Sequence, residues 1–105
     1  MEHLHFEYQG PGARRIERPA VLVGVVSSGN LEVLIEVADR DGGCQVDVST
    51  SASGFSTIWR AVLDDFVARH DVANLTISIN DGGATPAVVG LRLDQAIEEF
   101  LRRAP

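Results

Sequence analysis

Hydrophobic and polar residues alternate along four separate stretches of the chain, which is the period-two pattern of β-strands with one buried face. The predicted strands cover residues 3–8, 31–37, 44–49 and 74–80. Asp41-Gly42, between the second and third stretches, is typical of a two-residue turn. We therefore expect these two strands to pair as a hairpin.

Two longer stretches repeat their hydrophobic residues every three or four positions, which predicts amphipathic helices. The first runs from Phe55 to His70, with Ser53 as a candidate N-cap. The second follows Thr85-Pro86 and ends at about Arg103. Thr85 is the expected cap, and Pro86 suits the first helical position because its missing N–H has no helical partner there.

This order of elements predicts a two-layer fold. Strands that keep one polar face favour a mostly antiparallel sheet, and helices with one apolar stripe pack on its other face. We predict an α+β two-layer sandwich, with a mostly antiparallel sheet of about four strands and two helices on one face. The continuously apolar segment Pro19–Val26 is either a buried strand or an extended segment crossing the core. A length of 105 residues predicts a single domain, residues 1–105.

Composition narrows the class of protein. Nine Lys and Arg against fifteen Asp and Glu give a formal net charge of −6, which disfavours nucleic acid as a partner. No apolar run approaches the roughly 20 residues of a membrane span, and the N-terminus lacks a secretory signal pattern, so we expect a cytoplasmic protein without a membrane partner. The single cysteine, Cys44, cannot form an internal disulfide and is expected to be a small buried residue.

The sequence offers few parts for catalysis, and it lacks the GxSxG, GxxxxGK[ST], CxxC and HExxH motifs. His3 and His5 point to one side of a predicted strand, but no cysteine or third histidine lies nearby in the sequence, so we predict solvated histidines and no metal site. Trp59 and Phe66 stand at helical spacing and are expected to anchor the core. These observations favour an accessory or carrier subunit over an enzyme.

One alternative is a small hydrolase. Ser28, His70 and Asp81 are the residue types of a nucleophilic triad. No spacing in the sequence brings the three together, and His70 is more simply explained as a cation at the negative end of its helix.

The segment Ser27-Ser28-Gly29-Asn30 separates the apolar run from the second strand and has the composition of a tight turn. An exposed turn gives a modifying enzyme access to a hydroxyl, and Gly29 removes a side chain that would obstruct it. An ordinary, unmodified turn is the alternative explanation of the same residues.

Three separated blocks carry a resemblance to a known family. They are Val23–Leu34, Trp59–Leu63 and Asp81–Val89. The sequence resembles the malonate decarboxylase acyl carrier proteins, the delta subunits, over nearly its whole length. It is more distantly similar to the acyl carrier, or gamma, subunit of citrate lyase.

The resemblance implies a non-catalytic carrier. Ser28, which directly precedes the glycine of the turn, would be joined by a phosphodiester to a 2'-(5''-phosphoribosyl)-3'-dephospho-CoA group, with Ser27, Gly29 and Asn30 supporting the attachment. The thiol of that group would carry acetyl and malonyl. The implied partners are the transferase (alpha) and decarboxylase (beta and gamma) subunits of malonate decarboxylase, a malonyl transferase and a prosthetic-group transferase.

The sequence departs from the family pattern at three positions. Ser27 stands where the family has glycine, Asn30 where it has aspartate, and Gly82 where it often has phenylalanine. Ser27 is a rival hydroxyl, but neighbouring residues of an extended segment point to opposite sides, so Ser28 remains the predicted site. Asn30 keeps the turn propensity and removes a carboxylate that the attaching enzyme could read.

Three arginines precede the turn: Arg14, Arg15 and Arg18. We expect at least one of them to lie near Ser28 and to neutralise part of the charge of the group's phosphates.

Two further functional alternatives stay open. They are the carrier subunit of citrate or citramalate lyase and a small interaction domain that carries no modification.

Overall fold

The computed structural model of the chain describes residues 1–9, 31–37, 42–70 and 72–103. Four strands and two helices are found within these ranges. In chain order they are β1 (Glu2–Tyr8), β2 (Leu31–Val37), β3 (Cys44–Thr50), α1 (Ser56–Arg69), β4 (Leu75–Asp81) and α2 (Pro86–Arg103). The predicted segment Pro19–Val26 lies outside the described residues.

The four strands form one sheet in the order β1-β3-β4-β2. The outer pairs β1/β3 and β2/β4 are antiparallel, and the central pair β3/β4 is parallel. The fold class is therefore α+β as predicted, and the sheet is mixed, with two of its three pairings antiparallel. Parallel neighbours need a crossover connection, and α1, which lies between β3 and β4 in the chain, supplies it.

The predicted hairpin between the second and third strands is wrong. β4 lies between them in the sheet, so β2 and β3 do not pair. The residues near the expected turn are instead bonded to the segment that leads into β4. The backbone N–H of Gly42 donates to the Asn74 side chain at 2.9 Å, and the Asn74 N–H donates to the Gly43 carbonyl at 2.7 Å. These long-range bonds outweigh the local turn signal.

The core lies between the sheet and the two helices. Alternate strand residues join the buried faces of both helices in one cluster, which includes Phe66, Leu63, Leu93 and Ile97 among its fully buried members. Trp59, Phe66 and Cys44 are buried as predicted. The opposite face of the sheet carries the polar residues of the alternation.

The two helices begin differently. α2 begins at Pro86, and the Thr85 hydroxyl accepts the Val88 N–H at 3.3 Å, which confirms the predicted cap. The predicted Ser53 cap is wrong, because Phe55 is the N-cap of α1 and no side chain caps it. Gly54, with a φ of +85°, turns the backbone between Ser53 and Phe55, so Ser53 lies two residues before the position that caps the helix.

Candidate functional site: the end of the sheet at Leu31 and Asp81

The predicted attachment residues lie outside the described residues. They are Ser27, Ser28, Gly29 and Asn30, together with the arginines Arg14, Arg15 and Arg18. Attachment at Ser28 and the approach of an arginine to it therefore remain predictions. The structure does describe the point at which the segment containing Ser28 joins the sheet, since Leu31 follows Ser28 by three residues.

Leu31 is the first residue of β2 and belongs to a row of three strand ends. It pairs with Asp81, the last residue of β4, and Asp81 pairs on its other side with Thr50, the last residue of β3. All three residues are buried. The segment that contains Ser28 is thus joined to a packed end of the sheet.

A hydrogen-bond network centred on Asp81 holds this end together. One carboxylate oxygen accepts the Thr50 hydroxyl at 2.8 Å. The other accepts the backbone N–H groups of Gly83 at 3.1 Å and Ala84 at 2.7 Å. Asp81 is only 8% exposed, so its carboxylate needs such donors, because a buried charge without partners is strongly unfavourable. The network ties the sheet to the turn that leads into α2.

A pocket of about 290 Å³ opens at the same end of the sheet, between the first turns of the two helices. We call it the inter-helix pocket. Its lining comprises Thr50, Ala52, Phe55, Ile58, Trp59, Val62, Asp81, Gly83, Ala84, Thr85, Pro86 and Val89. The walls are mainly apolar, and Thr50, Asp81 and Thr85 supply the hydroxyl and carboxylate groups. Phe55 and Ile58 are 46% and 43% exposed, so the pocket presents large apolar side chains to solvent.

The hydrolase alternative finds no support in the described geometry. The His70 ring forms a 2.9 Å hydrogen bond with the carboxylate of Asp94, not with that of Asp81. The Asp81 carboxylate is engaged by Thr50 and by the turn after β4. The two residues that would have to act together therefore have separate partners. His70 is the C-cap of α1, which agrees with its predicted place at the negative end of that helix.

Asp94 joins the two helices at their exposed edge. Arg69 contacts it at 3.1 Å and His70 at 2.9 Å. Arg69 also pairs with Asp65, four residues earlier, at 2.9 Å. Partial burial raises the pKa of Asp94, but the hydrogen bonds from Arg69 and His70 outweigh it and leave the pKa below its ordinary value.

The two predicted solvated histidines lie on the open face of the sheet. The His3 ring bonds to the Ser49 hydroxyl at 3.0 Å, and the His5 ring bonds to the Asp47 carboxylate at 2.6 Å. The hydrogen bond to Asp47 raises the pKa of His5, burial opposes this shift, and Glu7 adds a smaller contribution in the raising direction. Among the described residues, no group of three or more His, Cys, Asp or Glu side chains is arranged to hold a metal ion.

Within the described part of the chain, neither helix is long and apolar enough to cross a membrane.

Comparison with known proteins places the chain in the class of acyl carrier subunits. Residues 18–100 match the acyl carrier protein family model described as malonate decarboxylase delta subunit (MdcD). The matched range includes Ser28 and the whole inter-helix pocket. The chain belongs to the family of malonate decarboxylase acyl carrier proteins, as the resemblance in the sequence indicated.

Individual relatives agree over almost the full length. The chain is 52% identical over 105 residues to the malonate decarboxylase acyl carrier protein of Stenotrophomonas maltophilia, covering 100% of this chain and 99% of the relative. It is 53% identical over 100 residues to that of Acinetobacter calcoaceticus, covering 95% and 97%. Among solved structures, a chain of a Pseudomonas malonate decarboxylase hetero-tetramer in complex with malonate matches with a TM-score of 0.74 and 39% identity, covering 95% of this chain and 99% of that one.

Sequence reasoning missed the Asp81 network and the inter-helix pocket. One signal was available, because Asp81 continues the inward alternation of Leu75, Ile77 and Ile79. An aspartate at an inward position is unusual and needs partners. The pocket itself depends on how the first turns of two helices are placed, which the periodicity does not report.

Proposed function

We propose that this chain is the acyl carrier subunit of malonate decarboxylase, with a phosphoribosyl-dephospho-CoA group attached to the Ser28 hydroxyl. The observation that carries the proposal is the family match over residues 18–100, which includes the Ser-Gly turn, together with about half of all residues identical to named carriers over the full length. The chain itself performs no bond-making step once it is loaded.

Attachment would form one P–O bond to the Ser28 oxygen, which would lose its proton. It would break the phosphoanhydride bond of an activated donor, whose phosphate-containing leaving group would depart. Once attached, the group would supply a terminal thiol that holds an acyl chain as a thioester. Exchange of acetyl for malonyl on that thiol, and the loss of carbon dioxide with uptake of one proton, would be carried out by partner enzymes.

The described residues supply a rigid base for such an arm. Ser28 is three residues from Leu31, so covalent geometry keeps their Cα atoms within about 11 Å of each other. Leu31 is buried and paired with Asp81, whose carboxylate is bonded to Thr50 and the turn before α2. A long arm on a rigid base raises the effective concentration of its acyl group at two separate active sites, and it needs no catalytic group on the carrier.

The described surface also fits the proposed group. The inter-helix pocket borders Asp81, the partner of Leu31, and offers apolar walls with polar groups at one end. That is the pattern of a site for part of a small-molecule ligand. The phosphates would be held by Arg14, Arg15 or Arg18, in keeping with the expectation from the sequence.

The partners we propose are the other subunits of malonate decarboxylase and the enzymes that load the arm and exchange its acyl group. The structural relative belongs to a malonate decarboxylase hetero-tetramer. A net charge of −6 favours docking on basic surfaces of these partners. We further propose a cytoplasmic location, with no nucleic-acid or membrane partner.

Intact mass measurement tests the proposal. The chain is produced with the enzymes that build and transfer the prosthetic group, beside Ser28→Ala and a matched control, Ser27→Ala. We expect one adduct of the mass of the phosphoribosyl-dephospho-CoA group on the wild type and on Ser27→Ala, and none on Ser28→Ala. Loss of the adduct in Ser27→Ala alone would move the attachment to Ser27. An unmodified wild type would favour the unmodified interaction domain.

A further inference from the structure

We propose that the inter-helix pocket seats the adenine base of the prosthetic group, so that the arm is held at its base and moves beyond that point. This inference rests on the function proposed above. It assigns a noncovalent binding site, of a purine-nucleotide class, in addition to the covalent attachment at Ser28.

The pocket borders the end of the sheet at which Leu31 begins β2. The pocket is lined by Thr50 and Asp81, the strand-end residues that lie in one row with Leu31. The segment carrying Ser28 joins the sheet at Leu31. In the proposed group, one phosphate and two riboses separate the Ser28 oxygen from adenine, whereas the pantetheine chain places the thiol at the far end. Adenine is therefore the part of the arm with a large apolar surface that is nearest to the Ser28 oxygen along the covalent chain.

The size and lining of the pocket suit a purine base. Pockets for complete ligands span about 300 to 1,000 Å³, so a pocket of about 290 Å³ suits one fragment of the arm rather than the whole of it. A purine has two apolar faces and a polar edge. The side chains of Ile58, Val62 and Val89 match the faces. Phe55 is 46% exposed at the α1 end of the pocket, where its ring can stack on a base.

Polar groups at one end of the pocket match the edge of the base. The Thr85 hydroxyl accepts the Val88 N–H and keeps its own hydrogen to donate to a ring nitrogen. The Asp81 carboxylate accepts three hydrogen bonds and has one lone-pair site beyond them for an exocyclic amine. The two backbone N–H groups and the Thr50 hydroxyl that hold this carboxylate also fix its position for the ligand.

Charge argues against the acyl end as the occupant. A malonyl group would bring a second carboxylate into an apolar pocket that already contains the buried carboxylate of Asp81. Desolvation and like-charge repulsion both oppose that placement. Adenine carries no charge at neutral pH, so it avoids both costs. Seating the base leaves the thioester free to reach the partner enzymes in both its acetyl and malonyl forms.

Free fragments of the arm test the pocket without any need for attachment. The unmodified chain is titrated to millimolar concentration with dephospho-CoA and, separately, with 4'-phosphopantetheine, and amide and indole N–H shifts are followed by NMR. Trp59 is the single tryptophan of the chain and lines the pocket, so its indole signal is an unambiguous reporter. We expect dephospho-CoA to shift the signals of Trp59, Gly83 and Ala84, and phosphopantetheine to leave them in place.

Two variants and one control extend the test to the loaded chain. Ala52→Phe narrows the pocket, and Phe55→Ser removes the exposed ring without disturbing the core. Ala68→Phe makes the same change as the first variant at an exposed position of α1 outside the pocket lining. We expect loading to shift the Trp59 signal in the wild type and in Ala68→Phe, and at least half of that shift to be lost in each pocket variant.

The outcomes separate this inference from the proposed function. A chain that carries the full adduct mass but shows no shift at Trp59, Gly83 or Ala84 would overturn the adenine site and leave the carrier function intact. Equal shifts with phosphopantetheine would assign the pocket to the other end of the arm. If the wild type does not take up the adduct, the carrier proposal fails, and the titration with dephospho-CoA still decides whether the pocket binds adenine.

Discussion

The hydroxyl of Thr50 donates a 2.8 Å hydrogen bond to the carboxylate of Asp81, and the two residues close the parallel central pair of strands at its carboxyl end. Thr50 is fully buried and Asp81 is 8% exposed. Because Asp81 also pairs with Leu31, this contact supports the point at which the segment carrying Ser28 joins the sheet.

Replacing Asp81 is expected to destabilise the fold strongly. Asp81→Ala removes the acceptor of three donors and leaves the hydrogen of the buried Thr50 hydroxyl without an acceptor. We expect the free energy of unfolding to fall by about 3 kcal/mol. Urea denaturation measures this free energy of unfolding. Asp65→Ala, at an exposed surface pair, is the control and should cost less than about 1 kcal/mol. Equal losses in the two variants would contradict the role of the network.

Thr50→Val tests the same contact from the other side. Valine keeps the shape of threonine but removes the donor to Asp81 and the acceptor of the Ala52 N–H, which lies at 3.2 Å. Two backbone donors still hold the carboxylate, so we expect a smaller loss of about 1 to 2 kcal/mol in the free energy of unfolding. Thr57→Val, at an exposed position of α1, is the matched control. If it lowers the free energy of unfolding as much as Thr50→Val does, the contact between Thr50 and Asp81 is not the cause of the loss.

Asp94 should make stability depend on acid pH. The hydrogen bonds from Arg69 and His70 outweigh partial burial and lower the pKa of Asp94 from its ordinary 3.8. The folded state therefore binds this proton less readily than the unfolded state, so the stabilisation is complete above the ordinary pKa and is lost as pH falls through the lowered one. We expect Asp94→Asn to cost about 1 kcal/mol at neutral pH, since the pair is partly solvated.

Unfolding of wild type and Asp94→Asn across the acid range checks this dependence, and the difference between them should shrink as pH falls through the lowered pKa. Glu98→Gln, at an exposed position of α2, is the control. If the free energy of unfolding of the wild type exceeds that of Asp94→Asn by the same amount throughout the acid range, the pKa of Asp94 is not lowered in the folded state.

His5 should titrate above its ordinary pKa of 6.5, chiefly because its ring is hydrogen-bonded to Asp47. A raised pKa means that this contact stabilises the folded state fully below the ordinary pKa and that the contribution is lost as pH rises through the folded-state pKa. NMR titration of the ring protons measures the pKa of His5 directly. Asp47→Asn should lower the pKa of His5, whereas Asp64→Asn should leave it unchanged. No response to Asp47→Asn would mean that another group causes the shift.

Local patterns predicted the elements closely. The alternation placed β2 at its observed bounds and the other strands within one residue at each end, and the change of period placed both helices. Those signals depend on which side of an element is buried, which each segment encodes by itself. The fold class and the burial of Trp59, Phe66 and Cys44 followed from the same patterns.

Local patterns could not predict the strand order or the inter-helix pocket. Asp41-Gly42 favours a hairpin locally, but the bonds of Gly42 and Gly43 to Asn74 connect residues about thirty positions apart and place β4 in the middle of the sheet. Pairing between distant segments is decided by the packing of the whole core. The resemblance pointed to Ser28, whereas the row of Leu31, Asp81 and Thr50, which begins three residues after it, became visible only with the register of the sheet.

The most direct measurement is fragment mass analysis of the peptide that contains Ser27 and Ser28. The chain is isolated from its complex after a supply of isotopically labelled malonate, in the presence of the enzymes that load the arm. The account predicts a phosphoribosyl-dephospho-CoA group on Ser28 whose thiol carries labelled malonyl or acetyl. An unmodified peptide, a group on another residue, or an arm that never acquires the label would contradict it.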